Sequence, residues 1–303
     1  MLTGLDIIFL LLSIAGFTTG MLGNMFIVLV NCSGWLKNQH ISLSDILFTC
    51  LAISRVTQLL VLFFESVTVV IPSHFISTYK LVKPVSFLWR ITNHWTTWLA
   101  TCLSIFYLLK IAHFSHSLFF WLKWRINKVV LVILGFSLFF LISDFVLLEE
   151  FTDLFLNVYV TNKSNLTLYT DESRTLCLEI MLFLSLTCLF PIVLSLASLF
   201  LLFLSLVRHI RNLQLNSMGS RDSSTEAHKR AIKMIMSFFF LFIANFFSTE
   251  MSYWIFLIFP MNTFSKYAML AIYIFPSVHS LLLIRGNSKL RQTALKVLWH
   301  SEN

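Results

Sequence analysis

Seven long apolar runs, separated by short polar segments, dominate this 303-residue sequence. A helix needs about 20 mostly apolar residues to cross the hydrocarbon core of a bilayer, and each run has about that length. Only 12% of the residues are charged, whereas roughly 25% is usual for a soluble domain. The pattern predicts an all-α membrane protein with one domain, residues 1–303, built as a seven-transmembrane helix bundle. The predicted spans are 7–30, 46–71, 86–109, 129–148, 180–207, 231–259 and 267–284.

Lys and Arg residues are distributed unevenly between the segments that join these runs. With residue 1 outside, fifteen of the 22 Lys and Arg residues fall on the inner side, and such an excess sets the orientation of a membrane protein. We therefore expect a multi-pass protein of the plasma membrane with an extracellular N-terminus and a cytoplasmic C-terminus. Residues 1–6 have no basic stretch, so no cleavable signal peptide is expected and the first run acts as the insertion signal.

The net charge of +8 does not indicate a nucleic-acid partner, because the basic residues lie between apolar runs, where membrane orientation signals occur. The five cysteines show no metal-type spacing, and we expect neither a structural disulfide nor a metal site. No nucleophile–base set is present, so no catalytic residue, cofactor or enzymatic activity is expected. The bilayer itself is the first partner that the sequence predicts.

The outer ends of three runs carry polar and aromatic residues that could line a pocket. The third run begins with Trp89, Asn93 and His94, and Glu65 and Glu250 lie in the outer thirds of the second and sixth runs. Intramembrane carboxylates are rare and normally face a cavity. An apolar ligand held between aromatic rings and a cationic ligand held by carboxylates or ring faces both remain open. So does the alternative that either Glu faces a neighbouring helix or the lipid headgroups.

Arg55 lies inside the second run, where a charged side chain is costly and needs a partner. Asn24 in the first run lies at a comparable depth, and the seventh run offers His279 and Ser280. We predict a polar network of Asn24, Arg55 and Ser280. The network either only ties three helices together or rearranges when the protein changes state.

Three further features concern the surface. Asn162 and Asn165 begin glycosylation sequons in a polar segment that the charge distribution places outside. After the last run, Lys289–Trp299 alternates basic and apolar residues at helical spacing and predicts a short amphipathic helix on the inner membrane surface. The polar segment 208–230 is predicted to be a solvated loop, or a surface for a cytoplasmic partner together with Lys123 and Arg125.

Short motifs in order along nearly the whole chain resemble the type 2 (bitter) taste receptors, a family of seven-span G-protein-coupled receptors. The motifs include Gly23-Asn24, Leu51-Ala52-Ile53-Ser54-Arg55, Trp98-Leu99-Ala100-Thr101, Phe106-Tyr107, Lys110-Ile111-Ala112, Pro191, His209, Ala227-His228, Pro276-Ser277, His279-Ser280, Gly286-Asn287 and Lys289-Leu290-Arg291. Arg285 departs from the family, which usually has an aliphatic residue there.

The resemblance implies a rhodopsin-like bundle that binds small bitter compounds and signals through a heterotrimeric G protein of the gustducin type. It also implies that Trp89 and Asn93 contact ligand. The expected surface for the G protein comprises Tyr107, Lys110, Lys123, Arg125 and His209. A chemoreceptor of a related class, such as a pheromone receptor, is the alternative. A transporter is disfavoured, because the chain shows no internal repeat and no rings of charge.

Overall fold

The structure is a computed structural model that describes residues 3–37, 41–70, 82–164, 171–216, 223–258 and 263–301. These residues form ten α-helices and no strand, which confirms the predicted all-α fold. The helices are α1 (Gly4–Leu36), α2 (Leu43–Val70), α3 (Val82–Ile111), α4 (Ser117–Trp124), α5 (Ile126–Ser164), α6 (Asp171–Asn216), α7 (Ser223–Ile258), α8 (Thr263–Ile272), α9 (Ile274–Gly286) and α10 (Ser288–Ser301).

Six helical segments of the described chain are long and apolar enough to cross a bilayer. They are Gly4–Leu36, Leu43–Val70, Ile126–Leu154, Thr175–Arg211, Ile232–Ile255 and Lys266–Gly286. The predicted span 86–109 lies in α3, which has 30 residues and is therefore about 45 Å long. The polar residues of α3 lower its mean hydropathy, so α3 is long enough to cross a bilayer but is less apolar than the other six segments. The architecture is that of a helical membrane bundle.

Helix α3 lies inside the bundle, where it packs against α2, α5 and α6. Most of its residues from Trp89 to Leu109 are buried. Its hydroxyl groups bind the neighbouring helices, since Thr96 shares a 2.9 Å hydrogen bond with Ser54 of α2 and Ser104 shares one of the same length with Ser195 of α6. The polar residues of α3 therefore face protein, as intramembrane polar groups generally do.

Two prolines shape the helices around α3. Pro276 has no N–H and its ring clashes with the carbonyl four residues earlier, and α8 ends at that residue, Ile272. The seventh predicted span is therefore two helices, α8 and α9, which meet at Tyr273. Pro191 lies within α6, which continues through it. The carbonyl of Pro191 accepts a 3.0 Å hydrogen bond from Thr101 of α3.

Helix α1 closes the bundle against α9. Its N-terminus is a capping box in which Thr3 and Asp6 satisfy each other's backbone N–H groups, and Asp6 also pairs with Lys266 of α8. Deeper in the bundle, Asn24 donates to the carbonyl of Pro276 at 3.1 Å. At Gly23 the absence of a side chain permits close approach, because a Cβ there would lie 2.6 Å from Ser280 Oγ.

Two short helices, α4 and α10, follow the ends of α3 and α9, and α10 is the predicted C-terminal helix. Asn287 begins α10 by accepting hydrogen bonds from the N–H groups of Lys289 and Leu290, as an N-cap residue does. The prediction of a loop over 208–230 was wrong for most of its length. Helix α6 continues to Asn216 and α7 begins at Ser223, because good helix formers such as Leu, Gln, Ala and Lys extend both helices beyond the apolar runs.

Candidate functional site

A buried ion pair joins α3 to α5, and hydrogen bonds connect it to α6. Arg90 donates from Nε to Asp144 Oδ2 at 3.0 Å, and its Nη2 lies 2.7 Å from Asp144 Oδ1. Nη2 also donates to the carbonyl of Leu184 and to Thr187 Oγ1, and Nη1 contacts Cys188 Sγ at 3.3 Å. Thr187 in turn donates to Asp144 at 2.6 Å. We call these five residues the Arg90 cluster.

A narrow cavity of about 10 Å³, which is room for one water molecule, lies against the Arg90 cluster. Besides four members of the cluster, its walls are Asn93, His94, Thr97, Trp98 and Pro191. Its polar walls come from α3, α5 and α6, and the ring of Trp98 belongs to an aromatic group with Phe140 and Phe190. The cavity thus combines an apolar surface with a few polar groups, which is the usual composition of a small-molecule site.

The three residues predicted on the outer part of α3 are all buried. Asn93 Oδ1 accepts a 3.3 Å hydrogen bond from Gln58 of α2. His94 Nδ1 lies 3.7 Å from Asp144 Oδ2, and its Nε2 is buried without a hydrogen-bond partner. Trp89 packs in an apolar cluster with Leu59 and Tyr273. Asn93 and His94 therefore line the cavity, and Trp89 packs against α2 and the α8–α9 junction.

The two predicted carboxylates lie on different helices, Glu65 on α2 and Glu250 on α7. Glu250 of α7 is nearly buried and accepts a 2.5 Å hydrogen bond from Ser185 of α6. The carboxylate of Glu65 in α2 makes no hydrogen bond or ion pair with the described residues. Partly buried Tyr253 packs on the cluster that contains Trp89. Neither glutamate is part of the wall of the cavity beside the Arg90 cluster.

The predicted network around Arg55 has different contacts from those expected. The side chain of Arg55 is fully buried and donates from Nη1 to His279 Nδ1 at 2.9 Å, and its guanidinium lies over the ring of Phe275. Asn24 binds backbone carbonyls of α1 and α9, and Ser280 donates to the carbonyl of Ser277. The structure brings the three predicted residues to the α1–α2–α9 junction, with His279 as the side-chain partner of Arg55.

The residues predicted to face a G protein lie near the inner ends of α3, α4 and α6. Lys110 lies over the ring of Phe106, Arg125 lies over the ring of Trp121, and Lys123 donates to the carbonyl of Ala112 at 3.2 Å. Tyr107 is half-buried beside Phe48 and Phe106. His209 follows Ser205 by one turn of α6, and Ser205 accepts a hydrogen bond from the backbone of His113. Lys123 therefore also anchors α4 to the end of α3.

The predicted glycosylation sites fall at the edge of the described chain. Asn162 belongs to the last turn of α5, and its side chain is outside the described part. Asn165 lies outside the described residues altogether.

The prediction from sequence missed most of the Arg90 cluster. Arg90 was counted only as an outer basic residue, and Asp144, Thr187 and Cys188 were not singled out as site residues. One signal was available, because Asp144 is the single acidic residue of the apolar run 129–148 and a charge inside a membrane span needs a partner. Arg90, in the preceding run 86–109, carries the opposite charge and was the candidate partner.

The helical membrane fold, with a polar, partly aromatic cavity beside its central helix, defines a protein of the receptor class. The family model described as taste receptor protein (TAS2R) matches residues 1–302, so the chain belongs to the type 2 taste receptor family. It is 58% identical to taste receptor type 2 member 42 of Pan troglodytes, over 100% of this chain and 97% of that one. It is 57% identical to taste receptor type 2 member 42 of Homo sapiens, over 100% of this chain and 97% of that one.

A more distant relative, taste receptor type 2 member 7 of Papio hamadryas, is 42% identical over 96% of this chain and 92% of its own length. Family membership thus extends over the whole chain, as the sequence motifs implied, and identifies a multi-pass membrane receptor.

Proposed function

We propose that this protein is a bitter-taste receptor that crosses the plasma membrane seven times, with its N-terminus outside and its C-terminus in the cytoplasm. Small bitter compounds bind near the outer half of α3, and a gustducin-type heterotrimeric G protein binds the inner face. One observation carries the proposal: α3 joins the outer cavity, at Asn93 and His94, to the basic inner end at Lys110. A change in the packing of one helix therefore reaches both sides.

The ligand site comprises Trp89, Asn93, His94, Glu65 and Glu250. Asn93 and His94 supply polar groups in the cavity wall, Trp89 supplies an aromatic surface, and the two glutamates supply carboxyl groups from α2 and α7. Burial of apolar ligand surface supplies the main part of the affinity, and the polar groups set orientation. Ligands that bind one arrangement of the bundle more tightly than another shift the population towards it.

The G-protein surface comprises Tyr107, Lys110, Lys123, Arg125 and His209. Three of these lie on α3 and α4 at one end of the bundle, Arg125 is the C-cap residue of α4, and the hydrogen bond between His113 and Ser205 holds α6 beside them. Asn24, Arg55 and Ser280 act at the junction of α1, α2 and α9, where a shift of α9 alters the hydrogen bond between Arg55 and His279. In the proposed topology Asn162 and Asn165 lie on the extracellular side, where either can be glycosylated.

Calcium imaging tests the function directly. Cells that express this chain with a G-protein chimera responsive to taste receptors should respond to at least one compound of a broad bitter library. Epitope tags at the two termini should be accessible from opposite sides of intact cells. No response despite confirmed surface expression, or tags accessible from the same side, contradicts the proposal.

The site assignment is tested by Trp89→Ala, which should weaken the response to an active compound by about tenfold or more, since a buried aromatic contributes up to several kcal/mol. Phe64→Ala is the matched control, because Phe64 lies on α2 near Glu65 and is 45% exposed on the bundle exterior. Equal potency of the two variants at equal surface amounts removes Trp89 from the site.

A pheromone-type chemoreceptor is separated from this function by the same screen with pheromone-class volatiles. Substrate flux or ionic current without a G protein distinguishes a transporter.

A further inference from the structure

Helix α4 is held against the bundle by one side only. Phe119 packs on the main hydrophobic core and contacts the ring of Phe114 at a centroid distance of 5.0 Å. Lys123 donates to the carbonyl of Ala112 at 3.2 Å. Phe119 and Lys123 are four positions apart and therefore lie on the same side of a helix. These contacts fix the rotation of α4, and its opposite side faces away from the bundle.

The outward side of α4 is apolar and exposed. It carries four large apolar side chains, each more than half exposed: Leu118, Phe120, Trp121 and Trp124. Trp124 is the most exposed of them, at 89%, and α4 contains no buried residue. A contiguous exposed apolar patch of this kind marks a surface that contacts a protein or a membrane.

The position of α4 in the chain brings this side close to lipid. Only Arg125 separates the end of α4 from Ile126, where the apolar spanning segment Ile126–Leu154 begins. Leu131 and Val132, within about 9 Å of the start of that segment, are 67% and 70% exposed, as lipid-facing residues are. Helix α4 therefore lies at about the depth of the lipid headgroups.

The residue types on the outward side are those of a membrane interface. Trp is enriched at the level of the headgroups because its ring is apolar and its N–H binds a polar partner. Arg125 is exposed, and its guanidinium carbon lies over the ring of Trp121, 4.9 Å from the centroid. An arginine in this position covers apolar surface with its stem and extends its charge to the headgroups.

The charge around α4 is complementary to an anionic partner. The Lys and Arg residues of segment 107–143 are Lys110, Lys123, Arg125 and Lys128, and the segment contains no Asp or Glu. Lys128 is exposed in the first turn of α5. Neither Arg125 nor Lys128 has a carboxylate partner within the described chain. Basic residues near a membrane surface attract the headgroups of anionic lipids.

We propose that α4 is an interfacial membrane helix that binds the leaflet at its end of the bundle and prefers anionic phospholipid there. Its four exposed apolar side chains insert at the level of the headgroups, and Arg125 and Lys128 bind lipid phosphate groups. The bilayer is the partner because the apolar side directly precedes the lipid-exposed start of α5 and presents no carboxylate or amide for recognition by a protein. The inference goes beyond the proposed function, and Arg125 lies where the proposed G-protein surface meets the membrane.

Site-specific photocrosslinking tests the inference on the purified full-length receptor, in nanodiscs made of equal parts of phosphatidylserine and phosphatidylcholine. The photoreactive residue p-benzoylphenylalanine replaces Trp121 or Trp124, and lipid adducts are measured by mass spectrometry. The same replacement at Phe139, which is exposed on α5, is the positive control, and at Phe119 it is the negative control. We expect adducts at both tryptophan positions to be as frequent as at Phe139 and at least about tenfold more frequent than at Phe119.

The lipid found in the adducts tests the charge preference. At Trp124 the ratio of phosphatidylserine to phosphatidylcholine adducts should exceed the ratio at Phe139 by about fivefold, which is the effect of one basic side chain near a membrane surface. Arg125→Gln should lower the ratio towards that at Phe139. Lys83→Gln is the matched control, because Lys83 lies at the opposite end of α3 and should leave the ratio unchanged. Equal ratios at Trp124 and Phe139 contradict the preference for anionic lipid.

Two outcomes overturn the membrane role of α4. One is that lipid adducts at Trp121 and Trp124 are no more frequent than at Phe119 while Phe139 is crosslinked to lipid. The other is that Trp124 is crosslinked to an added heterotrimeric G protein in place of lipid, which assigns this side of α4 to the cytoplasmic partner. A receptor that forms the lipid adducts but gives no calcium response contradicts the proposed function and leaves this inference intact.

Discussion

Two arginines lie in the interior of the bundle, and their surroundings differ in nearly every respect. Arg90 on α3 is bound by a carboxylate, a hydroxyl, a backbone carbonyl and a thiol. Arg55 on α2 donates to one imidazole nitrogen, while its Nε and Nη2 have no partner. The first is a satisfied ion pair, and the second is a buried cation that no described carboxylate neutralises.

The difference shows which junction holds the bundle together and which one is free to change. Breaking the Arg90 cluster leaves a buried charge without its counter-charge, and such a loss is large. The Arg55 junction already contains two guanidinium nitrogens without acceptors, each of which costs about 1–3 kcal/mol, so exchanging its contacts costs less. We therefore assign structural stability to α3–α5–α6 and conformational change to α1–α2–α9.

The largest expected effect is on the Arg90 cluster. Asp144→Asn should lower the free energy of unfolding by about 3–5 kcal/mol, because Arg90 stays charged in a buried site without its counter-charge. The loss should appear as a lower unfolding midpoint in nanodiscs and a smaller amount at the cell surface.

The matched control is the double variant Arg90→Met with Asp144→Asn, which removes both charges and should recover a large part of that loss. If the double variant loses as much stability as Arg90→Met and Asp144→Asn lose together, the two side chains do not interact.

The second effect probes close helix packing at the Arg55 junction. Gly23→Ala places a Cβ 2.6 Å from Ser280 Oγ, so either Ser280 turns away and loses its hydrogen bond to Ser277 or α1 and α9 separate, at a cost of about 1–3 kcal/mol. Gly135→Ala is the control, since a Cβ at Gly135 meets no atom within 4 Å. An unfolding midpoint for Gly23→Ala equal to that of Gly135→Ala would show that the junction adapts without cost.

The third effect should be close to zero, and for that reason it sharpens the comparison most. Arg55→Met loses the hydrogen bond to His279 and the contact with Phe275, and it also removes two unpartnered nitrogens. These terms oppose each other, so we expect stability within about 1 kcal/mol of the parent together with an altered response to ligand. A loss as large as that of Asp144→Asn would mean that the two arginines are equivalent.

The smallest effect concerns Lys83, which joins the same two helices as the Arg90–Asp144 pair but at their outer surface. The hydrogen bond to Asp153, together with Glu149, raises the pKa of Lys83. Because a raised pKa stabilises the protonated folded form, this contribution is complete below about pH 10 and is lost above the folded-state pKa. Lys83→Met should change the unfolding midpoint slightly, and less at high salt. If Lys83→Met lowered the unfolding midpoint as much as Asp144→Asn does, burial would not explain why the two ion pairs differ in strength.

The sequence predicted the existence of the helices better than their ends. Apolar runs indicate where a chain can cross a bilayer, so six predicted spans coincide with apolar helices of the described chain. The extensions of α6 to Asn216 and of α7 back to Ser223 were missed, because helical continuation beyond the membrane depends on propensity and not on hydropathy. The division of the last span at Tyr273 follows from Pro276, which the sequence contains but whose effect depends on Asn24 and the neighbouring helices.

Pairings across the bundle were the least predictable part of the site. Arg55 was expected to meet Asn24 and Ser280, yet its partner is His279, one residue away along α9. A shift of one residue on a helix turns a side chain by about 100°, since a turn has 3.6 residues, so depth along the chain does not choose between neighbours. Asp144 and Arg90 are 54 positions apart, and no local pattern connects them.

The sequence by itself determined that this chain is a helical membrane protein of the taste receptor family, because hydropathy and ordered motifs are properties of the chain. Only the tertiary structure decided that Arg90 is neutralised by Asp144, that Glu250 binds Ser185, and that Arg55 binds His279. The reason is that the energy of a buried charge depends on the atoms within a few ångströms of it, and those atoms come from helices whose relative rotation the chain order does not specify.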